Sequence, residues 1–253
     1  MAIKKRDTME TATTMQRYEM KYLLSEDKAA KFLEETAGRI RPDDYGSTSI
    51  ASLYYDTSDR RIVRASVENP PFKEKIRLRS YGPATENSTV FLELKRKAGG
   101  IVYKRRVPTT QRAAERFFKE NGDLCERGQI AREISYFKDY YGDLVPSCLI
   151  ICERTAYYEP WGNLRLTVDR RPRYRTERLD LSSGMDGTPL LPRESVILEV
   201  KVQEAMPLWL SETLARLGIY KTSFSKYGET YKLQNTIAAR ERPLAAERRE
   251  SYV

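Results

Sequence analysis

Lys73-Glu74-Lys75-Ile76-Arg77-Leu78-Arg79-Ser80-Tyr81 is the stretch that decides the fold. Side chains of an extended chain point alternately to opposite faces, so Lys75, Arg77 and Arg79 share one face while Ile76 and Leu78 share the other. Such a strand must be satisfied twice, its apolar face by a core and its cationic face by water or an anion. Moving outward, a Gly82-Pro83 turn leads to Thr89 through Lys97, which repeats the arrangement with Glu93, Lys95 and Lys97 opposite Leu92 and Leu94. Gly99-Gly100 predicts a hairpin into Ile101 through Val107, which brings Lys104, Arg105 and Arg106.

The same period recurs along the chain. Arg17 through Leu24 alternates charged and apolar residues, and Ile50–Asp56, Leu149–Tyr158, Leu164–Arg170 and Ser195–Val202 read as further strands. Two of these again gather charge on one face, Arg165 with Asp169 and Glu199 with Lys201. Helical spacing predicts helices from Ser25 to about Gly38, Thr110 to Glu120, Ile130 to Tyr141 and Met206 to Leu217, the last ended by Gly218. Residues 1–16 are expected to be a flexible leader and 17–233 the folded domain. The charged tail 234–253 is expected to be a short helix or disordered. Strands, two helices, strands and one helix make an α+β protein with a mainly antiparallel sheet.

At 253 residues and 40% hydrophobic content the chain can bury a sizeable core. Lys and Arg number 45 against 36 Asp and Glu, a formal charge of +9, so an anionic partner is expected. Histidine is absent, which removes the commonest general base, the commonest transition-metal ligand and any His-based triad. Three cysteines, Cys125, Cys148 and Cys152, support neither a disulfide framework nor a zinc site and fit a reduced, cytoplasmic setting. No apolar run reaches membrane-spanning length, so no span of its own is expected, although a membrane-protein partner is compatible. Oligomeric state has no signature.

One charged strand face means little, since exposed faces are often charged. The number and sign are informative: Lys75, Arg77, Arg79, Lys95, Lys97, Lys104, Arg154, Arg165 and Lys201 lie on about six strands that each also have an apolar face. An open sheet would display a broad cationic surface; a closed one would line a tunnel. Inward charges left unpaired would cost several kcal/mol per ion, so a polyanion or interleaved carboxylates are required. Glu19, Glu93 and Glu199 interleave, each two residues before a lysine on the same face. That spacing suits carboxylate oxygens on a divalent cation beside lysine on phosphate, and equally suits cross-strand ion pairs.

Arg17-Tyr18-Glu19-Met20-Lys21-Tyr22, Leu53-Tyr54-Tyr55-Asp56-Thr57, Lys75 through Gly82, Phe91 through Lys97, Ile197-Leu198-Glu199-Val200-Lys201 and Ser223-Phe224-Ser225-Lys226-Tyr227 together resemble the VTC domain. This is the polyphosphate polymerase domain of the vacuolar transporter chaperone family and its bacterial relatives, within the CYTH-like triphosphate tunnel metalloenzymes. The resemblance runs from about Arg17 to Leu233 and fits a stand-alone bacterial member. It implies an antiparallel β-barrel tunnel with helices packed outside. It also implies that Lys21, Arg77, Arg79, Lys95, Arg154, Arg165 and Lys226 act on the phosphates, with Lys75, Lys97, Lys104, Lys201 and Ser225 as binding residues. A divalent metal, Mn²⁺ or Mg²⁺, is then expected at Glu199, with Glu93 and Glu19 beside it.

Hydrolytic tunnel enzymes usually carry Glu-x-Glu-x-Lys near the N-terminus, and Arg17 stands where the first Glu would be. That favours phosphoryl transfer to an anion over attack by water. The expected activity is transfer of the ATP γ-phosphate to inorganic polyphosphate with release of ADP. The alternatives are a metal-dependent tri- or polyphosphatase of the same fold and a polyphosphate or nucleotide sensor without turnover. A nucleic-acid-binding sheet would need aromatics on the basic faces; Tyr81 supplies one and the other faces none, so nucleic acid is not expected as partner.

Overall fold

A computed structural model describes residues 13–68, 70–120, 122, 124 and 128–250, with side chains described between 17 and 239. Among these residues the chain forms β1 (Thr13–Ser25), α1 (Glu26–Thr36), β2 (Arg41–Thr57), α2 (Arg61–Val67), β3 (Phe72–Tyr81), β4 (Thr89–Ala98), β5 (Ile101–Thr110), α3 (Gln111–Lys119) and α4 (Gln129–Tyr141). It continues with β6 (Leu144–Tyr158), β7 (Arg165–Arg175), β8 (Thr188–Pro189), β9 (Ser195–Val202), α5 (Leu208–Arg216), β10 (Lys221–Thr222) and α6 (Lys226–Glu250).

Every strand pairing is antiparallel. From β1 the ladder runs through β5, β4, β3, β2, β6 and β7 to β9, and β9 pairs back onto β1. Eight strands therefore close a ring, which leaves no edge among them. The short β8 and β10 pair outside this circuit, on β7 and β1.

The apolar faces of the strands point outward to two helical covers. Ile76, Leu78, Leu92, Leu94, Leu149 and Ile151 form one cluster with Phe117 of α3 and Ile134 and Phe137 of α4. Leu24, Leu166, Val168, Leu198 and Val200 form another with Phe32 of α1 and Leu210 and Leu214 of α5. Local chemistry sets the ends of these elements. Ser25 caps α1 by accepting from the Lys28 N–H at 3.3 Å, and Thr110 caps α3 by accepting from Ala113 at 3.1 Å. Gly99 and Gly100 both take positive φ in the two-residue hairpin between β4 and β5, as a primed turn requires.

Four features differ from the sequence reading. β1 starts at Thr13, because Thr13 to Arg17 pair with β5, so the end of the expected leader is strand; residues 1–12 lie outside the described residues. β2 begins at Arg41, with a register irregularity between Pro42 and Ser47. α2 follows the turn at Thr57-Ser58-Asp59 because the buried Asp56 carboxylate accepts from the N–H groups of Thr57, Ile62 and Val63. The stretch expected as an independent tail continues one long helix, α6, that starts at Lys226. Cys148 and Cys152 are buried free thiols, and Cys125 lies outside the described residues. No helix among the described residues is long and apolar enough to cross a membrane.

Candidate functional site

The ring encloses a cavity of about 1250 Å³. Fifteen Lys and Arg side chains line it against five Asp and Glu. The alternation that sends Ile76 and Leu78 outward sends Lys73, Lys75, Arg77, Arg79 and Tyr81 of β3 inward, and β1, β4, β5, β6 and β9 contribute in the same way. Of the residues singled out in the sequence, Glu19, Lys21, Lys75, Arg77, Arg79, Lys95, Lys97, Lys104, Arg154, Glu199, Lys201, Ser225 and Lys226 all line this cavity.

Glu93 does not line it. It is 1% exposed and sits behind the cations, directly opposite Arg77 on one side and Arg106 on the other. Its carboxylate lies 2.8 Å from Arg77, 2.6 Å from Lys104, 3.8 Å from Arg79 and 3.9 Å from Arg106. Burial pushes this carboxyl up, but Arg79, Lys104 and Arg77 together hold it well below the usual carboxylate range. Four cations crowd its oxygens and it has no face on the cavity, so Glu93 anchors the basic face and is not placed as a metal ligand. Arg165 also departs from expectation. As the first residue of β7 it is exposed, its guanidinium stands 5.2 Å over the Tyr158 ring, and it is not among the lining residues.

Glu19 and Glu199 do line the cavity, and their placement follows from register. In the β1–β9 ladder Glu19 faces Lys201 and Lys21 faces Glu199, so like charges fall on diagonals and unlike charges pair. Glu19 also pairs with Lys95 and with Arg17 at 3.2 Å; Glu199 lies 3.5 Å from Lys201 and 3.8 Å from Arg154. The two carboxylates repel each other, since the Glu199 charge works against the ionisation of Glu19. Among the described residues no three acidic, Cys or His side chains cluster as a metal cage. A pair of carboxylates facing a cation-lined cavity nevertheless fits a hard divalent cation that takes one or two carboxylates and completes its shell with phosphate oxygens and water.

The lysines are tuned. Burial drives Lys104 down to about 7, with Glu93 opposing, and drives Lys21 and Lys201 down to about 8, with Glu199 opposing in both. Lys75 is held well below the ordinary lysine range by burial and by Lys21 and Lys95 nearby. Clustered cations out of water lower one another's proton affinity until an anion arrives.

Part of the site was missed in the sequence. Asp169, fully buried, accepts from Arg154 through two bonds of 2.5 and 2.7 Å and pairs with Lys226. It thereby ties β6 and β7 to the first residue of α6. Its inward parity on β7 was visible, but its partner on a helix far along the chain was not. Ser225 accepts from Lys75 at 2.8 Å and caps α6 by accepting from Gly228 at 3.2 Å, while Lys21 donates to the Phe224 carbonyl at 2.9 Å. Tyr227 then bolts the helix down: its hydroxyl bonds Asp56 at 2.6 Å and Ser147 at 2.8 Å, and its ring stacks on Tyr54, 4.5 Å between centroids. Tyr54 in turn accepts from Arg77 at 2.9 Å.

Comparison with known proteins is consistent with this geometry. The VTC domain family profile matches residues 16–235. Among curated proteins no sequence matches. Among solved structures, a Bacillus halodurans protein provisionally named an adenylate cyclase is similar with TM-score 0.53 and 12% identity, covering 84% of this chain and 95% of that one. A protein from Hippeastrum, provisionally named an adenylyl cyclase and described as having a dominant triphosphatase activity, gives TM-score 0.50 and 19% identity, covering 83% of this chain and 93% of that one. At such identities the likeness is one of fold.

Proposed function

The chain belongs to the VTC domain family, and from that premise we propose that it is a polyphosphate polymerase that moves the γ-phosphate of ATP onto the end of an inorganic polyphosphate chain. The observation that carries this reading is the length of the cationic lining. Lys73, Lys75, Arg77 and Arg79 line the cavity along one strand, and at about 3.3 Å per residue they extend over roughly 20 Å. A single triphosphate, three phosphorus atoms joined through bridging oxygens, occupies a fraction of that length. A chain that must slide needs the remainder.

In the proposed reaction a terminal oxygen of the acceptor chain attacks the γ-phosphorus. A new P–O bond forms, the bond to the β,γ-bridging oxygen breaks, and ADP leaves with that electron pair. The attacking oxygen is already anionic near neutral pH, so the absence of histidine is no obstacle. The remaining work is to align two mutually repelling anions and to neutralise charge on the moving phosphoryl group. Arg77, Arg79 and Arg154 are fixed for this by Glu93 and Asp169, and Lys21, Lys75, Lys95 and Lys226 approach from three strands and α6. Glu199, with Glu19, would hold a divalent ion, which would supply charge neutralisation at the phosphate oxygens. Mn²⁺ and Mg²⁺ both suit these donors.

Purified protein given ATP and Mn²⁺ should form ADP and a polyphosphate ladder on a gel. Stoichiometric orthophosphate without chain product would overturn the polymerase reading in favour of a triphosphatase. Binding without turnover would make the protein a sensor.

A further inference from the structure

The two ends of the cavity are chemically unlike. At the end where β3 stops and β4 starts, Tyr81 stands 48% exposed and meets the Phe91 ring edge-on, 5.8 Å between centroids and 75° between planes. The Arg106 guanidinium lies 3.3 Å over Phe91 and 5.6 Å from the Tyr81 ring. All three line the cavity. At the opposite end of the same two strands Lys73 and Lys97 line the cavity beside the Gly99-Gly100 hairpin, with the single ring of Tyr18 on the neighbouring β1 and no cluster of stacked rings and guanidinium among the described residues.

An inorganic phosphate chain has no use for an exposed aromatic face. A nucleobase does, because every base presents a π-face that stacks on aromatic rings and on guanidinium planes. Tyr81 follows Arg79 by two residues on the inward face, a step of about 6.6 Å, the gap that a ribose would fill between a phosphate and its base. We propose that Tyr81, with Phe91 and Arg106, is the nucleobase platform of the donor nucleotide, so that ATP lies base-outward at this end with its phosphates running along Arg79 and Arg77.

This orientation has a consequence for threading. The γ-phosphate then points toward Lys21, Lys75 and Lys226, and the acceptor chain enters or leaves through the Lys73 and Lys97 end. Stacking is tolerant of base identity, so the platform gives affinity for nucleoside triphosphates as a class, with purines favoured through their larger rings.

The inference rests on ATP being the donor, and it is tested by binding, which needs no turnover. ATP and inorganic tripolyphosphate carry the same three phosphates and differ by the nucleoside. By calorimetry, Tyr81→Ala should weaken ATP roughly tenfold while leaving tripolyphosphate unchanged, and Tyr81→Trp should restore ATP. Any result in which ATP loses no more than tripolyphosphate, in Tyr81→Ala or in an Arg106→Met variant prepared beside it, overturns the platform. Failure of wild-type protein to make polyphosphate from ATP would instead overturn the parent reading and leave this binding comparison standing.

Discussion

The two halves of the ring solve the same electrostatic problem in different ways. On β3, β4 and β5 the inward cations Arg77, Arg79, Lys104 and Arg106 crowd one deep carboxylate, Glu93. On β1, β9, β6 and β7 charges alternate, Glu19 against Lys201, Lys21 against Glu199, and Arg154 with Asp169. The first half keeps a net positive face that can be satisfied by phosphates. The second sets each carboxylate against a cation on the neighbouring strand and presents carboxylate oxygens to the cavity. In the proposed reading, binding of an anion and placement of a counter-ion are thus divided between opposite walls of one cavity, with the start of α6 reaching both through Ser225 to Lys75 and Lys226 to Asp169.

The largest effect should come from breaking the crowded half. Glu93→Gln leaves four cations facing one another without their carboxylate, and removing one member of a buried ion pair costs about 3–5 kcal/mol. Urea denaturation should show that loss, and excess tripolyphosphate should recover more stability in the variant than in wild type, because the missing charge is anionic. Unchanged stability without added anion would mean that the half does not depend on Glu93. In the balanced half, Glu199→Gln should act on turnover. ATP-dependent product formation is expected to fall roughly 100-fold, about 2.7 kcal/mol of barrier, while tripolyphosphate binds at least as tightly as before. Equal loss of binding and turnover would remove the division between the walls.

The seam between the halves gives a smaller effect. Tyr227→Phe deletes the hydroxyl that bonds Asp56 and Ser147 but retains the ring against Tyr54. A hydrogen bond to a buried carboxylate contributes about 1.5–3 kcal/mol, and Asp56 keeps its three backbone donors, so the lower part of that range is expected in the thermal or urea transition. A stability matching wild type would mean that the Tyr227 hydroxyl does not help to hold α6.

Much of this division was legible in the sequence, and the part that was not has a physical reason. Alternation is a local property, so the cationic inward face of β3 could be read from nine residues, and the apolar faces that cover the ring could be read with it. Partner choice across strands is not local. Glu19, Glu93 and Glu199 look alike as Glu-x-Lys, yet register places Glu93 between Arg77 and Arg106 while it places Glu199 opposite Lys21. Arg165 shares the parity of Asp169, but parity says nothing about whether a residue lies at the rim or deep in the ring. Leu53 through Thr57 and Ser223 through Tyr227 stand more than a hundred residues apart, and the reason they occur together is the Asp56–Tyr227 bond, which is a fact of the fold.

The smallest effect separates the halves by pH. In the free protein burial holds Lys104 of the crowded half down at about 7 and Lys21 and Lys201 of the balanced half down at about 8. All three are depressed below the unfolded lysine value, so the unfolded chain binds more protons than the folded one above these points. The free protein therefore gains stability from them as pH rises from about 7 toward the unfolded lysine value of about 10.4, by at most about 1.4 kcal/mol per pH unit for each group. Affinity for a polyanion runs the other way. A bound phosphate chain favours the charged ammonium and raises each pKa, so binding takes up protons and weakens as pH climbs through the same window. Tripolyphosphate affinity should fall a few-fold to roughly tenfold between about pH 7 and 9. Calorimetry in buffers of different ionisation enthalpy should count the protons taken up, with Lys104→Met removing the share that appears first, near pH 7. Affinity independent of pH in wild type, or proton uptake near pH 7 unchanged in that variant, would show that the crowded half is already fully charged before the anion binds.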